Sequence, residues 1–375
     1  MEKGERIRSV REILLLVVVT VSLSTCSSVL AADGVAQDTA TAKRSDVICL
    51  PILFYTPETK MAGGAAVSYY FRERGSDLRS RPSTIMPVVI YTQEKQIISE
   101  LNGDLYWRNE TFRLSGYVGY MKFPDKFYGI GNNTPEENEE SYTPQRLILS
   151  VCFQKKMLPG LYLGIQYEFI ESEMKEVEEE GLLVRKEIVG SQGGTVSALG
   201  VLLNWDTRNN IFYPTSGCFY QVSASTFGGG LGSDYGFTRY NLDVRQYLPV
   251  LSSHVVAFQG YMNIITGDPP FNMMSLFGGG ELMRGYYEGR YRDKSMVAFQ
   301  AEYRMPVWRR FGLACFLGVG DVSDTMSHFA WRDFKHSVGF GFRYLLSPEE
   351  KVNVRCDVAY GRHSSGFYIT LLEAF

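Results

Sequence analysis

The stretch LFGGGELMRGYYEGRYRDKSMVAFQAEYRMP, residues 276–306, carries two local patterns that cannot belong to one element. From Met296 onward it alternates: Met296, Ala298, Gln300, Glu302 and Arg304 share one face, and Val297, Phe299, Ala301, Tyr303 and Met305 share the other. A period of two is produced by a strand. The first half cannot continue that strand, because Gly278, Gly279, Gly280 and Gly285 open backbone angles closed to other residues and mark a glycine-directed loop. In its middle stands Arg284, flanked by Met283, Tyr286 and Tyr287. A planar, permanently charged guanidinium among apolar and aromatic neighbours calls for a carboxylate or a ring to dock on.

A second motif lies upstream, Asn204-Trp205-Asp206-Thr207-Arg208-Asn209-Asn210 followed by Phe212-Tyr213-Pro214-Thr215-Ser216-Gly217. With it in order come Gly279-Gly280, Met283-Arg284-Gly285-Tyr286 and a strand ending Glu302-Tyr303-Arg304-Met305-Pro306. On these residues the chain resembles the bacterial surface antigen family, the BamA/TamA-like barrels of the outer-membrane protein assembly superfamily. The likeness covers roughly the second half well; the first half shares only its strand rhythm. It implies an all-β fold, a transmembrane antiparallel β-barrel, with Asp206, Arg208, Pro214 and Gly217 forming a periplasmic turn. It also implies that the glycine loop folds inward and that acidic side chains of the inner wall hold Arg284.

Composition agrees with a barrel. Aromatic content is 14%, with 24 Tyr, 23 Phe and 37 Gly in 375 residues, which departs from an ordinary soluble mixture. Mean hydropathy of −0.12 excludes a helical membrane protein, and after the N-terminus no run reaches the ~20 apolar residues of a spanning helix. A formal charge of −3 gives no basic footprint for nucleic acid. Residues 1–32 read as a signal peptide, with Arg6, Arg8 and Arg11 ahead of the apolar run Ile13 to Leu23 and cleavage after Ala31 or Ala32. Leu23-Ser24-Thr25-Cys26 offers lipidation as the alternative, with threonine where Gly, Ala or Ser is usual. Residues 33–47 read as a short periplasmic tail and 48–375 as the barrel. The other cysteines are scattered singly, as small apolar residues rather than a disulfide or metal framework.

Strand rhythm predicts about 16 segments, near 48–56, 62–72, 82–92, 96–106, 111–121, 142–155, 160–171, 194–206, 216–227, 234–247, 254–266, 293–305, 311–320, 335–346, 351–360 and 365–375, the lengths a tilted membrane strand needs. Their faces separate cleanly. Arg239, Asn241, Asp243 and Arg245 oppose Tyr240, Leu242 and Val244; Asn353, Arg355 and Asp357 oppose Val352, Val354, Cys356 and Val358. From a periplasmic start, long connections (122–141, 172–193, 267–292, 321–334) fall outside and short ones inside. Trp107, Trp205 and Trp308 then sit at periplasmic strand ends and Trp331 in an outer loop, which predicts interfacial placement of all four indoles. The terminal Phe375 resembles the insertion signal of outer-membrane barrels, although Glu373 stands where an apolar residue is commoner.

No catalytic constellation emerges. His254, His328, His336 and His363 form no nucleophile–base pair, and the acidic runs Glu136 to Glu140 and Glu171 to Glu180 lack calcium-loop spacing and read as solvated tips. Neither a metal nor a cofactor is expected, and the chain reads as a non-enzyme. For Arg284 the inner-wall candidates are Glu302 and Arg304, which share a face, and Asp243. The resemblance also implies an aspartate in the next strand, in an F-x-D-x-G pattern, but here Phe316-Leu317-Gly318-Val319-Gly320 has glycine at that position and Asp321 on the wrong parity. Periplasmic (POTRA) repeats, usual ahead of such barrels, are not expected in the short tail. The resemblance implies insertion or translocation of proteins or lipids at the outer membrane. Its partners would be outer-membrane lipids, client outer-membrane proteins and a separate periplasmic protein. A passive channel or structural surface protein is the alternative. Pro51 and Pro57 predict weak pairing of the first strand, since proline cannot donate to a ladder.

Overall fold

A computed structural model describes residues 45–73, 81–185, 187–251, 253–348 and 351–375. The expected signal peptide, Cys26 and the tail as far as residue 44 lie outside the described residues. Among the described residues sixteen long antiparallel strands follow one another in chain order and close on themselves, and a short additional strand, Asp125–Phe127, pairs with the start of the strand Glu140–Leu158. They are β1 (Ser45–Thr56), β2 (Lys60–Phe71), β3 (Ser83–Thr92), β4 (Ile97–Trp107), β5 (Phe112–Lys122), β6 (Glu140–Leu158), β7 (Leu161–Val177) and β8 (Gly193–Asp206). The second half comprises β9 (Gly217–Phe227), β10 (Phe237–Val250), β11 (His254–Gly267), β12 (Ser295–Trp308), β13 (Phe311–Ser323), β14 (Lys335–Ser347), β15 (Val352–Gly361) and β16 (Ser364–Leu371).

The alternation dictates which side meets what. Along β12, Met296, Ala298, Glu302 and Arg304 are buried inside, whereas Phe299 is half exposed on the outer surface. Ile165, Leu317 and Phe340 are each about 60% exposed, while Arg304, Arg355 and Asp357 are 2% exposed or less. A water-soluble sandwich has the opposite polarity. Apolar rows outside and charged rows within are what a closed barrel in lipid requires, since closure satisfies every strand edge.

Three strands differ from the sequence expectation in ways that matter. β6 and β7 run to 19 and 17 residues, longer than a membrane crossing needs, so this hairpin projects beyond the loop end of the barrel. β16 stops at Leu371, four residues short of the predicted end. Leu372 takes a left-handed backbone (φ 66°), and the chain turns inward there. Phe375 therefore closes no strand, which corrects the expectation that the last strand runs to residue 375. Its ring packs with Tyr247, Val255, Ala257 and Ala374 inside the barrel.

Closure is uneven. β1 pairs with β2 through twelve residues in register, and β15 with β16 through eight. Between β1 and β16 the only registered pair among the described residues is Tyr55↔Ile369, supported by the Tyr55 and Phe367 rings 5.6 Å apart.

Between β11 and β12 the connection first forms a two-stranded ribbon, Ser275–Phe277 against Tyr291–Asp293. Its tip, residues 278–290, then descends inside the barrel.

Candidate functional site

Arg284 is 1% exposed. Its Nη2 donates to Glu302 Oε2 on β12 at 2.6 Å, its Nη1 donates to Asp357 Oδ2 on β15 at 2.5 Å, and the Phe316 ring of β13 lies 3.4 Å from its guanidinium carbon. Two carboxylates thus take the two terminal nitrogens and an aromatic ring covers the plane of the group, while Nε is buried without a partner among the described residues. Nothing weaker would compensate for removing that charge from water.

The loop backbone is held as closely as the side chain. Ser337 Oγ donates to Arg284 O, Gly285 N donates to Tyr368 Oη at 2.9 Å, and Ser364 Oγ donates to Gly285 O at 2.7 Å. Tyr286 Oη donates to His336 O at 2.9 Å and accepts from Arg362 N at 2.7 Å. Such closeness explains the glycine: Gly285 has φ +103°, and a Cβ there would stand 3.0 Å from Gly361 N. Gly318, the residue standing where an aspartate is usual, has a related reason. A Cβ at Gly318 would lie 3.1 Å from Met283 Sδ, so the strand leaves room for the loop methionine. Met283, with Phe277, Tyr286, Met296, Ala298 and Val322, forms the apolar cluster under the loop.

The sequence candidates divide accordingly. Met283, Arg284, Gly285 and Tyr286 seat the loop, Gly280 lies 3.5 Å by its notional Cβ from the Tyr368 ring, and Gly279 lines the adjoining cavity. Glu302 meets Arg284. Arg304 is a second cation on the same carboxylate, its Nε donating to Glu302 Oε1 at 2.8 Å. Asp243 is not a partner of Arg284: it accepts from Arg245 and Gln259 on the β10–β11 wall, because the loop leans toward β14–β16 instead. Asp321 accepts from Lys335 Nζ at 2.6 Å and from Asn132. Neither is available to the loop arginine.

Sequence reasoning missed the acids and cations that complete the network. Arg343 Nη1 donates to Asp357 Oδ1 at 2.5 Å, and its Nε donates to Glu373 Oε2 at 2.8 Å. Asn353 Nδ2 donates to the other oxygen of Glu373. Arg355 Nε donates to Thr370 Oγ1. Arg304 Nη2 reaches Phe375 O at 2.7 Å. Glu373, the residue that weakens the likeness to an insertion signal, is thus what ties the inturned tail to β14 and β15. Asp357 was legible only as a member of the polar face of its strand.

The turn motif meets this network from below. Arg208 grips Asp206 through Nε and Nη2, both at 3.0 Å, and Gly217 (φ +95°) passes so close to Thr207 O that a side chain has no space. Pro214 O accepts from Arg304 Nη1 at 3.5 Å, and the Tyr213 ring centre is 5.8 Å from that guanidinium. Above the network, Glu288 N donates to Glu58 Oε1 of the β1–β2 turn at 2.9 Å. Glu288 is exposed to the lumen cavity, and its position within the barrel, with Glu58 beside it, raises its carboxyl above the ordinary carboxylate range. Between loop and wall lies a cavity of about 780 Å³, lined by Arg146, Arg239, Arg245, Arg355, Glu58 and Glu288 among others.

Comparison with known proteins follows the same lines. The barrel superposes on BamA from Haemophilus ducreyi lacking POTRA domains 1–3 with a TM-score of 0.61 at 12% identity, covering 88% of this chain and 70% of that one. It is similar also to CdiB from Acinetobacter baumannii, TM-score 0.56 at 10% identity, covering 88% of this chain and 60% of that one. No curated protein matches. The model of the Omp85 superfamily domain matches residues 94–360, spanning the turn motif, the lumen loop and both acids that hold Arg284, and the chain belongs to the Omp85 superfamily.

Proposed function

We propose that this outer-membrane barrel assists the insertion or translocation of other proteins, or of lipids, by parting between β1 and β16. One observation carries the reading: among the described residues a single registered pair joins these strands, where β15 and β16 share eight. Strand edges are templates for another chain, and only ladder pairing hides them. Continuing the Tyr55↔Ile369 register would set Leu372–Phe375 opposite Ile52–Cys49, but the inward turn at Leu372 withdraws those four residues, and Pro51 has no N–H to offer. The client strand, on this reading, adds where the tail does not. Clients are outer-membrane proteins delivered by a separate periplasmic partner, the surrounding lipid is the second partner, export uses the N-terminal signal, and no catalysis is involved.

The test is a tether across the seam. In a cysteine-free background, Tyr55→Cys with Ile369→Cys should oxidise to a disulfide, block insertion of other barrels, and release the block on reduction. Insertion at the parent rate with the tether closed refutes the proposal. The passive-channel reading draws on the 780 Å³ cavity. It predicts that depletion changes solute permeability while barrel insertion continues.

A further inference from the structure

The lumen loop touches both sides of the seam within four residues. Gly285 is bonded twice to β16, its N–H donating to Tyr368 Oη at 2.9 Å and its carbonyl accepting from Ser364 Oγ at 2.7 Å. Three residues on, the Glu288 N–H donates to Glu58 Oε1 in the turn that ends β1, also at 2.9 Å. Glu58 is itself fixed, since its carbonyl accepts from the wholly buried Gln96 side chain, which bonds Pro124 O as well. The loop is anchored independently of the seam, by Arg284 on β12 and β15. Tyr368 is fully buried and Glu58 is 8% exposed, so neither bond competes freely with bulk water.

We infer that segment 285–288 is a clasp that holds the loop end of the β1–β16 seam closed from inside, and that its two grips are Tyr368 on one strand and Glu58 on the other. The seam's own ladder supplies one pair at this end, Tyr55↔Ile369. The clasp bridges the same two strands a few residues away, through the loop rather than directly. Opening the seam then requires releasing one grip, while Arg284 keeps the loop seated. This rests on the seam being the part that moves, but not on what moves through it.

Hydrogen exchange read across the seam separates a clasp from local support. In full-length protein reconstituted in phosphatidylethanolamine–phosphatidylglycerol vesicles without client, Glu58→Ala removes the grip on β1, and the readout is exchange at Ile369 on β16. Tyr368→Phe keeps the ring, removes one of the two bonds that form the grip on β16 and leaves the Ser364 bond, and is read at Tyr55 on β1. Each should speed exchange on the opposite strand about fivefold, the worth of one net hydrogen bond. Glu58→Gln retains an acceptor oxygen and should restore the parent rate. Thr134→Ala removes a loop contact remote from the seam, where Arg290 Nη1 donates at 2.9 Å, and should leave both strands unchanged. Changes confined to the mutated strand, or equal loosening by Thr134→Ala, overturn the clasp. If the clasp variants open the seam and client insertion stays at the parent rate, the clasp stands and the insertion reading falls.

Discussion

Arg284 and Asp357 are 73 residues apart in sequence and 2.5 Å apart in the barrel. Both carboxylate oxygens of Asp357 are used, one by Arg284 and the other by Arg343, so the loop arginine shares its anchor with the wall that holds the inturned tail. Loss of that one acid leaves three buried guanidinium groups, those of Arg284, Arg343 and Arg355, short of a counter-charge.

Asp357→Ala should therefore destabilise the folded barrel by about 3–5 kcal/mol, the cost of breaking a buried ion pair from one side. Asp357→Asn, which keeps an acceptor and loses the charge, should fall between. The midpoint of heat-modifiable migration in detergent measures both. An unchanged midpoint for the alanine variant would show that Glu302 alone suffices.

Gly318 tests why an aspartate is missing from β13. A first methyl there is crowded only by Met283 Sδ at 3.1 Å, with Gln300 Cβ and Phe299 O at an ordinary 3.6 Å; the sulfur ends an adaptable side chain, so Gly318→Ala should be nearly silent. Gly318→Val has no such escape and should cost about 1–3 kcal/mol by overpacking. If valine is tolerated as well as alanine, Met283 does not explain the glycine.

Alternation in the sequence made the strands legible, because lipid outside and charge inside impose a period of two on nearly every segment. Glu302 was legible too, since a residue on the inner face of the strand following the loop lies within the loop's reach. Asp357 was not, because only barrel closure brings β15 opposite that loop. The choice of Asp243 failed for a local reason: Gly285 and Gly361 permit close approach on the β15 side, where the Tyr286 ring occupies the space above Gly361, and the loop is drawn away from β10. The tail was misread because periodicity runs on through Glu373 and Phe375, while the turn depends on one backbone angle at Leu372.

The inturned tail makes Phe375 a packing residue as well as a terminal one. Its ring completes the cluster of Tyr247, Val255 and Ala257, so Phe375→Ala should cost about 3–5 kcal/mol if the site cannot collapse. Phe375→Leu should recover most of it. Equal stability of all three proteins, with a defect only in the yield of inserted barrel, would favour the reading of Phe375 as a signal alone.

Acidification should tighten the loop. The Glu288 carboxyl, exposed to the lumen cavity, is raised above the ordinary carboxylate range in the folded barrel, so the folded form holds its proton more firmly than the unfolded chain does. The resulting stability is fully present below the ordinary carboxylate range and is lost as pH rises through the raised value. The heat-modifiable midpoint should accordingly be higher at about pH 5 than at about pH 8, with the difference reduced in Glu288→Gln. A glutamine variant with the parent's full pH dependence would assign the effect to another group.

Trp331, 81% exposed, should lie in the outer lipid interface rather than in water. Its ring packs 4.9 Å from Phe334, and Phe334 precedes inward-facing Lys335, so it heads the outward row of His336, Val338, Phe340 and Phe342. At the other end of β14, Tyr344 packs on Phe311 at 5.3 Å and Phe311 stacks on Trp308 at 5.9 Å, an aromatic belt at the short-turn end. From Tyr344 back to Phe334 is ten residues, which at ~3.3 Å rise and a tilt of about 40° spans ~25 Å along the barrel axis. That is the height of the apolar band of such barrels, so the Phe334–Trp331 pair falls at the second interface. A variant retaining only this tryptophan should show blue-shifted emission in vesicles and be quenched by lipids brominated near the headgroup more than by those brominated at the chain end. Water-like emission, quenched by iodide and untouched by either lipid, would put the loop out in solvent.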